Sequence, residues 1–214
     1  AHPQVAGVQA QGCGVLGNVC FGDDATGLAR KQRAVAAGAI EAVVAALRAH
    51  QQVAGVQQQG SRALGNMWGG NDAAAAAHRQ RATAAGAIED VVAALRAHPQ
   101  VATVQEWGCC ALANVCAGTD AAAAARRQRA TGAGAIEVVV AAMRAHPQEE
   151  EIQKDGCAAL VGICRGGSGV RARRRRATQA GGRTVAVAAM QAYPDHNFVQ
   201  AFGRQLLDCL PAEV

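Results

Sequence analysis

The sequence predicts an all-α solenoid, and three observations carry that prediction. First, Ala-His-Pro-Gln-Val at residue 1 returns as Ala-His-Gln-Gln-Val at 49 and Ala-His-Pro-Gln-Val at 97. It recurs as Ala-His-Pro-Gln-Glu at 145 and Ala-Tyr-Pro-Asp-His at 192, a period of 48, 48, 48 and then 47. Units of that length cannot each bury an apolar face alone, so they gain stability by stacking into one continuous core. Second, apolar residues inside each unit recur at helical steps. Third, the chain is 50% hydrophobic but only 3% aromatic. A core of Ala, Val and Leu draws its stability from many close contacts between small residues, which suits helices stacked at short distance.

One domain of repeat units is expected, at about 1–48, 49–96, 97–144 and 145–191, with a partial unit at 192–214. The third unit shows the three helical segments most plainly. A long helix runs from about Val101 to Ala117, with Val104, Cys109, Leu112 and Cys116 as its apolar stripe. A segment rich in alanine and arginine follows, from about Ala121 to Gly132, and then a helix from about Ala135 to Ala145 with Ile136, Val139, Val140 and Met143 on one side. Glu41, Glu89 and Glu137 sit in the first turn of this last helix and Arg48, Arg96 and Arg144 near its end, as the helix dipole prefers. Pro3, Pro99, Pro147 and Pro194 mark the turn into the next unit.

Each long helix carries the same signature: Val8-Gln9 with Gly12, Val56-Gln57 with Gly60, Val104-Gln105 with Gly108, Ile152-Gln153 with Gly156, and Val199-Gln200 with Gly203. A glycine inside a helix costs about 1 kcal/mol relative to alanine, so its recurrence predicts close helix contact there. Gly38, Gly86, Gly134 and Gly182 are expected instead as left-handed caps that end one helix before the next begins. Glu149 to Glu151 favour the N-terminus of the fourth long helix. The last long helix, with Phe198, Phe202, Leu206, Leu207 and Leu210, is expected as a terminal cap or a docking face. Because Ala1 falls in mid-repeat, residues upstream of it are expected.

Two sets of residues resemble the armadillo repeat over essentially the whole chain. Gly38-Ala39-Ile40, Gly86-Ala87-Ile88 and Gly134-Ala135-Ile136 match its inter-helix turn, and Leu16, Asn18, Leu64, Asn66, Leu112 and Asn114 match its long helix. The alanine-rich inserts Asp72 to Ala77 and Asp120 to Ala125 lengthen the units and leave HEAT-like stacking as a lesser alternative. The resemblance implies a right-handed superhelix of about four and a half three-helix repeats, whose long helices line a concave groove for extended peptides or partner proteins. Nuclear import receptors of the importin alpha type place a Trp four residues before the groove Asn. Gly14, Arg62, Cys110 and Ala158 stand there in this chain and Gly162 replaces the fourth Asn, so that specific function is rejected.

The spacing nominates groove residues Gln11, Asn18, Gln59, Arg62, Asn66, Trp107, Asn114 and Asp155. Successive amides offer donor and acceptor to an extended ligand backbone, against the plain alternative of a solvated polar face. Trp107 aligns with the polar Gln11, Gln59 and Asp155, so it is expected to be exposed and a partner anchor, whereas Trp68 is expected in the core. A basic edge is nominated from Arg30, Lys31, Arg33, Arg79, Arg81, Arg126, Arg127, Arg129, Arg173, Arg174, Arg175 and Arg176. Such a stripe suits an acidic protein surface, anionic headgroups or a phosphate backbone, against a solvated helix face.

His2, His50, His98 and His146 recur at one turn and read as charge partners of a helix C-terminus. One repeat apart, they stand too far from each other to share a metal. The cysteines, many of them seven apart, read as small core residues. Arg165 to Val170 lacks a phosphate-loop pattern, and no nucleophile, base and oxyanion grouping breaks the repeat. No catalytic residue, cofactor, metal or small-molecule substrate is expected.

The net charge of +5 alone names no partner. The reading is a non-catalytic interaction module of an intracellular protein, without a membrane span, in cytoplasm, nucleus or an organelle after removal of a targeting segment. It binds a protein partner, which belongs to a multi-subunit complex in one version, through the groove, the basic edge or both. A structural linker subunit of a large, membrane-associated assembly is the first alternative. Nucleic-acid binding along the arginines is the second and is disfavoured, because few aromatics interleave them.

Overall fold

A computed structural model describes residues 2–70 and 72–211. Thirteen α-helices and no strand occur among them. In chain order the first are α1 (Ala6–Val19), α2 (Ala25–Ala36) and α3 (Ala39–Ala49), then α4 (Ala54–Trp68), α5 (Ala73–Ala85) and α6 (Ala87–Ala97). There follow α7 (Ala102–Cys116), α8 (Ala123–Ala133) and α9 (Ala135–Ala145), then α10 (Glu150–Cys164), α11 (Val170–Gln179) and α12 (Gly182–Ala192), and finally α13 (Asn197–Cys209). The order is long, basic, apolar, with the long helices at α1, α4, α7, α10 and α13. No helix is long and apolar enough to cross a membrane.

Each long helix packs against the long helix before it and the one after it, from α1 to α13. The apolar helices α3, α6, α9 and α12 lie beside one another, and each also packs against the long helix that follows it. Ile40, Leu47, Leu64, Met67, Ile88, Leu95, Leu112, Ile136 and Met143 are wholly buried between these rows, as is Trp68, the core residue expected. Burying such a side chain stabilises by about 1.5–3 kcal/mol each. Cys13, Cys20, Cys109, Cys116, Cys157 and Cys164 are buried with them as free thiols.

The glycine of the long-helix signature is where the apolar helix comes closest. A Cβ built on Gly60 would stand 2.5 Å from Leu47 Cδ2, and one on Gly108 2.5 Å from Leu95 Cδ2. Met143 and Met190 fill the same place at Gly156 and Gly203. Gly12 departs from the expectation, with nothing within 4 Å of its Cβ position, because no helix lies on that face of α1 among the described residues.

The neighbouring glutamine does a job that the sequence pattern did not reveal. The Gln105 amide nitrogen donates to the carbonyls of Leu95 (3.0 Å) and His98 (2.8 Å), satisfying the orphan end of α6. Gln57, Gln153 and Gln200 make the same pair of bonds to the ends of α3, α9 and α12.

One expectation about the turns needs correction. The left-handed caps are Gly38, Gly86 and Gly134, with φ of 90°, 86° and 90°, but in the fourth unit the residue is Gly181 (φ 92°), and Gly182 opens α12. That unit is 47 residues long, which moves its cap back by one place. The recurrent histidines stand at the helix ends where they were expected, and they also reach the neighbouring unit. His50, His98 and His146 place Nε2 at 2.7–2.8 Å from the carbonyls of Pro3, Gln51 and Pro99, so each ring clips its turn to the turn before. No group of three or more metal-ligating side chains occurs among the described residues.

Candidate functional site

The row of long helices presents one face carrying the nominated groove residues. Gln11 and Asn18 are exposed, and Gln59, Arg62, Asn66, Trp107, Asn114 and Asp155 are half-buried. Much of their hydrogen-bonding capacity is used between helices. Asn66 Nδ2 donates to the Gly17 carbonyl at 2.9 Å, and Asn114 Nδ2 to the Gly65 carbonyl at 3.0 Å. Each amide therefore ties its helix to the previous one and leaves its oxygen as the group able to meet a ligand.

Arg62 is the centre of this face. It donates to Gln59 Oε1 (3.1 Å) and to Asn18 Oδ1, and its guanidinium carbon lies 5.7 Å from the centroid of the Trp107 ring. Trp107 is thus half-covered instead of fully exposed, because an arginine one unit away is drawn to its negative π-face.

Beyond Trp107 the face turns acidic. Burial, then the nearby Glu151 and Asp155 charges, push the Glu106 carboxyl above its ordinary range. Asp155 is raised to about 6, chiefly by burial, while Lys154 beside it and the Cys110 thiol that it accepts from pull the other way. Lys154 pairs with Glu151 and lies 3.7 Å from Asp155.

The arginine ladder resolves into three columns with three duties. In the first, Arg30, Arg126 and Arg173 bond backbone carbonyls at the C-terminal end of the long helix preceding them. Arg126 Nε reaches the Val115 carbonyl at 2.9 Å and Arg173 Nε the Ile163 carbonyl at 2.7 Å. His78 takes this place in the second unit, at 3.3 Å from the Met67 carbonyl, and its pKa is lowered by burial.

The second column does the same one residue on: Arg79 to the Trp68 carbonyl, Arg127 to that of Cys116 and Arg174 to that of Cys164. Lys31 reaches Asp23 and, across units, the Gly69 carbonyl. The third column pairs across units: Arg81 with Glu41 (2.6 Å), Arg129 with Glu89 (2.5 Å) and Arg176 with Glu137 (2.6 Å).

The expected free basic edge is corrected accordingly. Lys31, Arg79, Arg126, Arg127 and Arg173 are at most 4% exposed. Burial lowers the pKa of Arg79, Arg127 and Arg173, and the Arg126 hydrogen bond holds the Asp120 carboxyl down to about 2. The physical reason is the long-helix terminus, whose last carbonyls lack intrahelical donors and carry the negative end of the dipole. Only Arg33 and Arg175 of the nominated edge make no side-chain hydrogen bond or ion pair among the described residues, and both are exposed. A signal for this role existed: basic residues stand at a constant 10 or 11 residues after each long helix's last turn.

Comparison with protein-family models, with curated proteins and with solved structures finds no match for this chain.

Proposed function

We propose that this chain is an armadillo-like solenoid that binds an extended segment of a partner protein along the face of its long helices. The reading rests on one observation above the rest: Trp107, half-exposed on that face and stacked with Arg62, between the amides of α1 and α4 and the carboxylates of α7 and α10. A large ring among polar groups supplies the kind of anchor on which binding energy concentrates. The use of the arginines inside the fold counts in the same direction, since the charges that would hold a phosphate backbone are occupied by helix carbonyls and glutamates.

Selection of extended peptides from a displayed library, followed by titration of the enriched sequences, tests the reading. Trp107→Ala is expected to weaken binding at least about tenfold with the helical circular dichroism unchanged, a loss typical of an anchor residue. Enriched peptides whose binding ignores Trp107→Ala but is abolished by reversing Arg33 and Arg175 would sink the groove in favour of the edge. A steep loss of affinity with salt, together with competition by nucleic acid, would favour the phosphate reading.

A further inference from the structure

Cys13, Cys20, Cys109, Cys116 and Cys157 are buried packing residues and Cys110 faces the Asp155 carboxylate, but Cys209 sits differently. It is half-buried in the last turn of α13, and it lines a cavity of about 310 Å³ together with Cys164, the last residue of α10. Both cysteines border this one cavity where α10 and α13 pack against each other, and the Cys209 thiol rests on the Leu206 carbonyl at 3.3 Å. Arg174 on α11 and Arg165 in the loop after α10 border the same cavity, with Asp208 on α13 as the opposing charge. The pair therefore joins the ends of two packed helices, in a space open to a small oxidant.

We propose that Cys209 and Cys164 form a reversible redox pair, in which a hydroperoxide oxidises Cys209 and Cys164 resolves it, closing a disulfide that staples α13 to α10. The neighbouring Cys164, then the Arg174 charge, pull the Cys209 thiol below the ordinary thiol range against the opposing cost of burial and of Asp208. The neighbouring Cys209 and complete burial push the Cys164 thiol up, so that it stays protonated.

The two steps balance. The Cys209 thiolate attacks the hydroperoxide, an S–O bond forms as the O–O bond breaks, and the released alkoxide or hydroxide takes a proton from water. Cys164 then attacks the sulfenic sulfur, forming the S–S bond as the S–O bond breaks, and its proton leaves with the hydroxide as water. Two thiols are oxidised and one hydroperoxide is reduced. Such ladders run where thiolate character and access coincide, and among these cysteines Cys209 has both.

The test is to treat the folded chain with a small excess of hydrogen peroxide and digest it without reduction. A peptide pair joined through Cys164 and Cys209 is expected and should disappear with dithiothreitol. In Cys164→Ala a sulfenic acid trapped by dimedone at Cys209 is expected. Because Cys164 is a core residue, a second measurement uses the native chain: alkylation of Cys209 should exceed that of Cys110 about tenfold or more at pH 7, and Arg174→Gln should slow it. Oxidation distributed over the cysteines without the joined pair, or equal alkylation of Cys209 and Cys110, would overturn the proposal.

Discussion

Gly108 lies directly against Leu95, so close that a methyl group on the glycine would stand 2.5 Å from Leu95 Cδ2. The glycine costs the helix about 1 kcal/mol in propensity, and what it gains is a seat for a wholly buried leucine. Overpacking a core by one carbon costs about 1–3 kcal/mol. Gly108→Ala is therefore expected to destabilise by about 1 kcal/mol net, even though alanine is the better helix former. Gly12→Ala, at the equivalent place with nothing within 4 Å, is expected to stabilise by up to about 1 kcal/mol. Urea denaturation of the two variants checks both signs, and matching signs would refute the packing argument.

The arginines divide into structural and free classes, and substitution should separate them. Arg126 is 1% exposed, bonded to the Val115 and Ala117 carbonyls and paired with Asp120 at 2.7 Å. Arg126→Met would leave those carbonyls and that carboxylate without their donor, at a cost of about 3 kcal/mol. Arg175→Gln should change stability by no more than about 0.5 kcal/mol. Thermal melts of the two variants, compared at low and high salt, show whether the ladder is scaffold or surface.

The sequence pattern revealed the helices and missed where their side chains go, for a definable reason. Periodicity reports which positions of a helix are apolar, and the α7, α8 and α9 boundaries follow from it within about two residues. It is silent on long polar side chains, because Arg, Gln and His reach several ångströms from their own helix and find partners set by tertiary geometry. Gln105 reads as an unremarkable polar residue beside Val104 until the end of α6 is placed over it, and nothing around His98 in the sequence points to its contact with the Gln51 carbonyl of the unit before. Trp107 was legible as an odd residue on a polar face, but its cover was not, since Arg62 comes from the neighbouring unit.

Asp155 makes a contribution to stability that falls as pH rises across the acid range. Its folded pKa of about 6 lies above the ordinary aspartate value of 3.8, so the folded state binds the proton more tightly than the unfolded state does. The protonated form contributes stability that is fully present below about pH 4 and is lost as pH climbs through 6, by on the order of 1–3 kcal/mol. Asp120 has the opposite sign: held down to about 2, it contributes stability above pH 4 that is lost only in stronger acid. Glu106 and Asp90, also raised, act with Asp155 and the lowered His78 acts against it, so the prediction is a difference: between pH 4 and 7 the native denaturation midpoint should decline relative to that of Asp155→Asn. The same pH slope in the native chain and in that variant would remove Asp155 as a contributor.

Arg62 and Trp107 offer a readout of the same face by light. Trp68 is completely buried, so a soluble quencher reaches Trp107 in preference, and Arg62 shields one side of that ring. Arg62→Ala removes a cation worth about 0.5–1 kcal/mol over an exposed ring and also frees Asn18 and Gln59. Acrylamide quenching is expected to rise and the emission maximum to move to longer wavelength, with the fold unchanged by circular dichroism. If the face binds an extended partner, the same substitution has a second consequence. A cationic side chain of the ligand can occupy the vacated π-face beside Glu106 and Asp155, so affinity for lysine- or arginine-bearing peptides should rise while affinity for acidic ones falls. A rise for both charge types would mean that Arg62 acts only as a lid, and a fall for both that it is itself a contact.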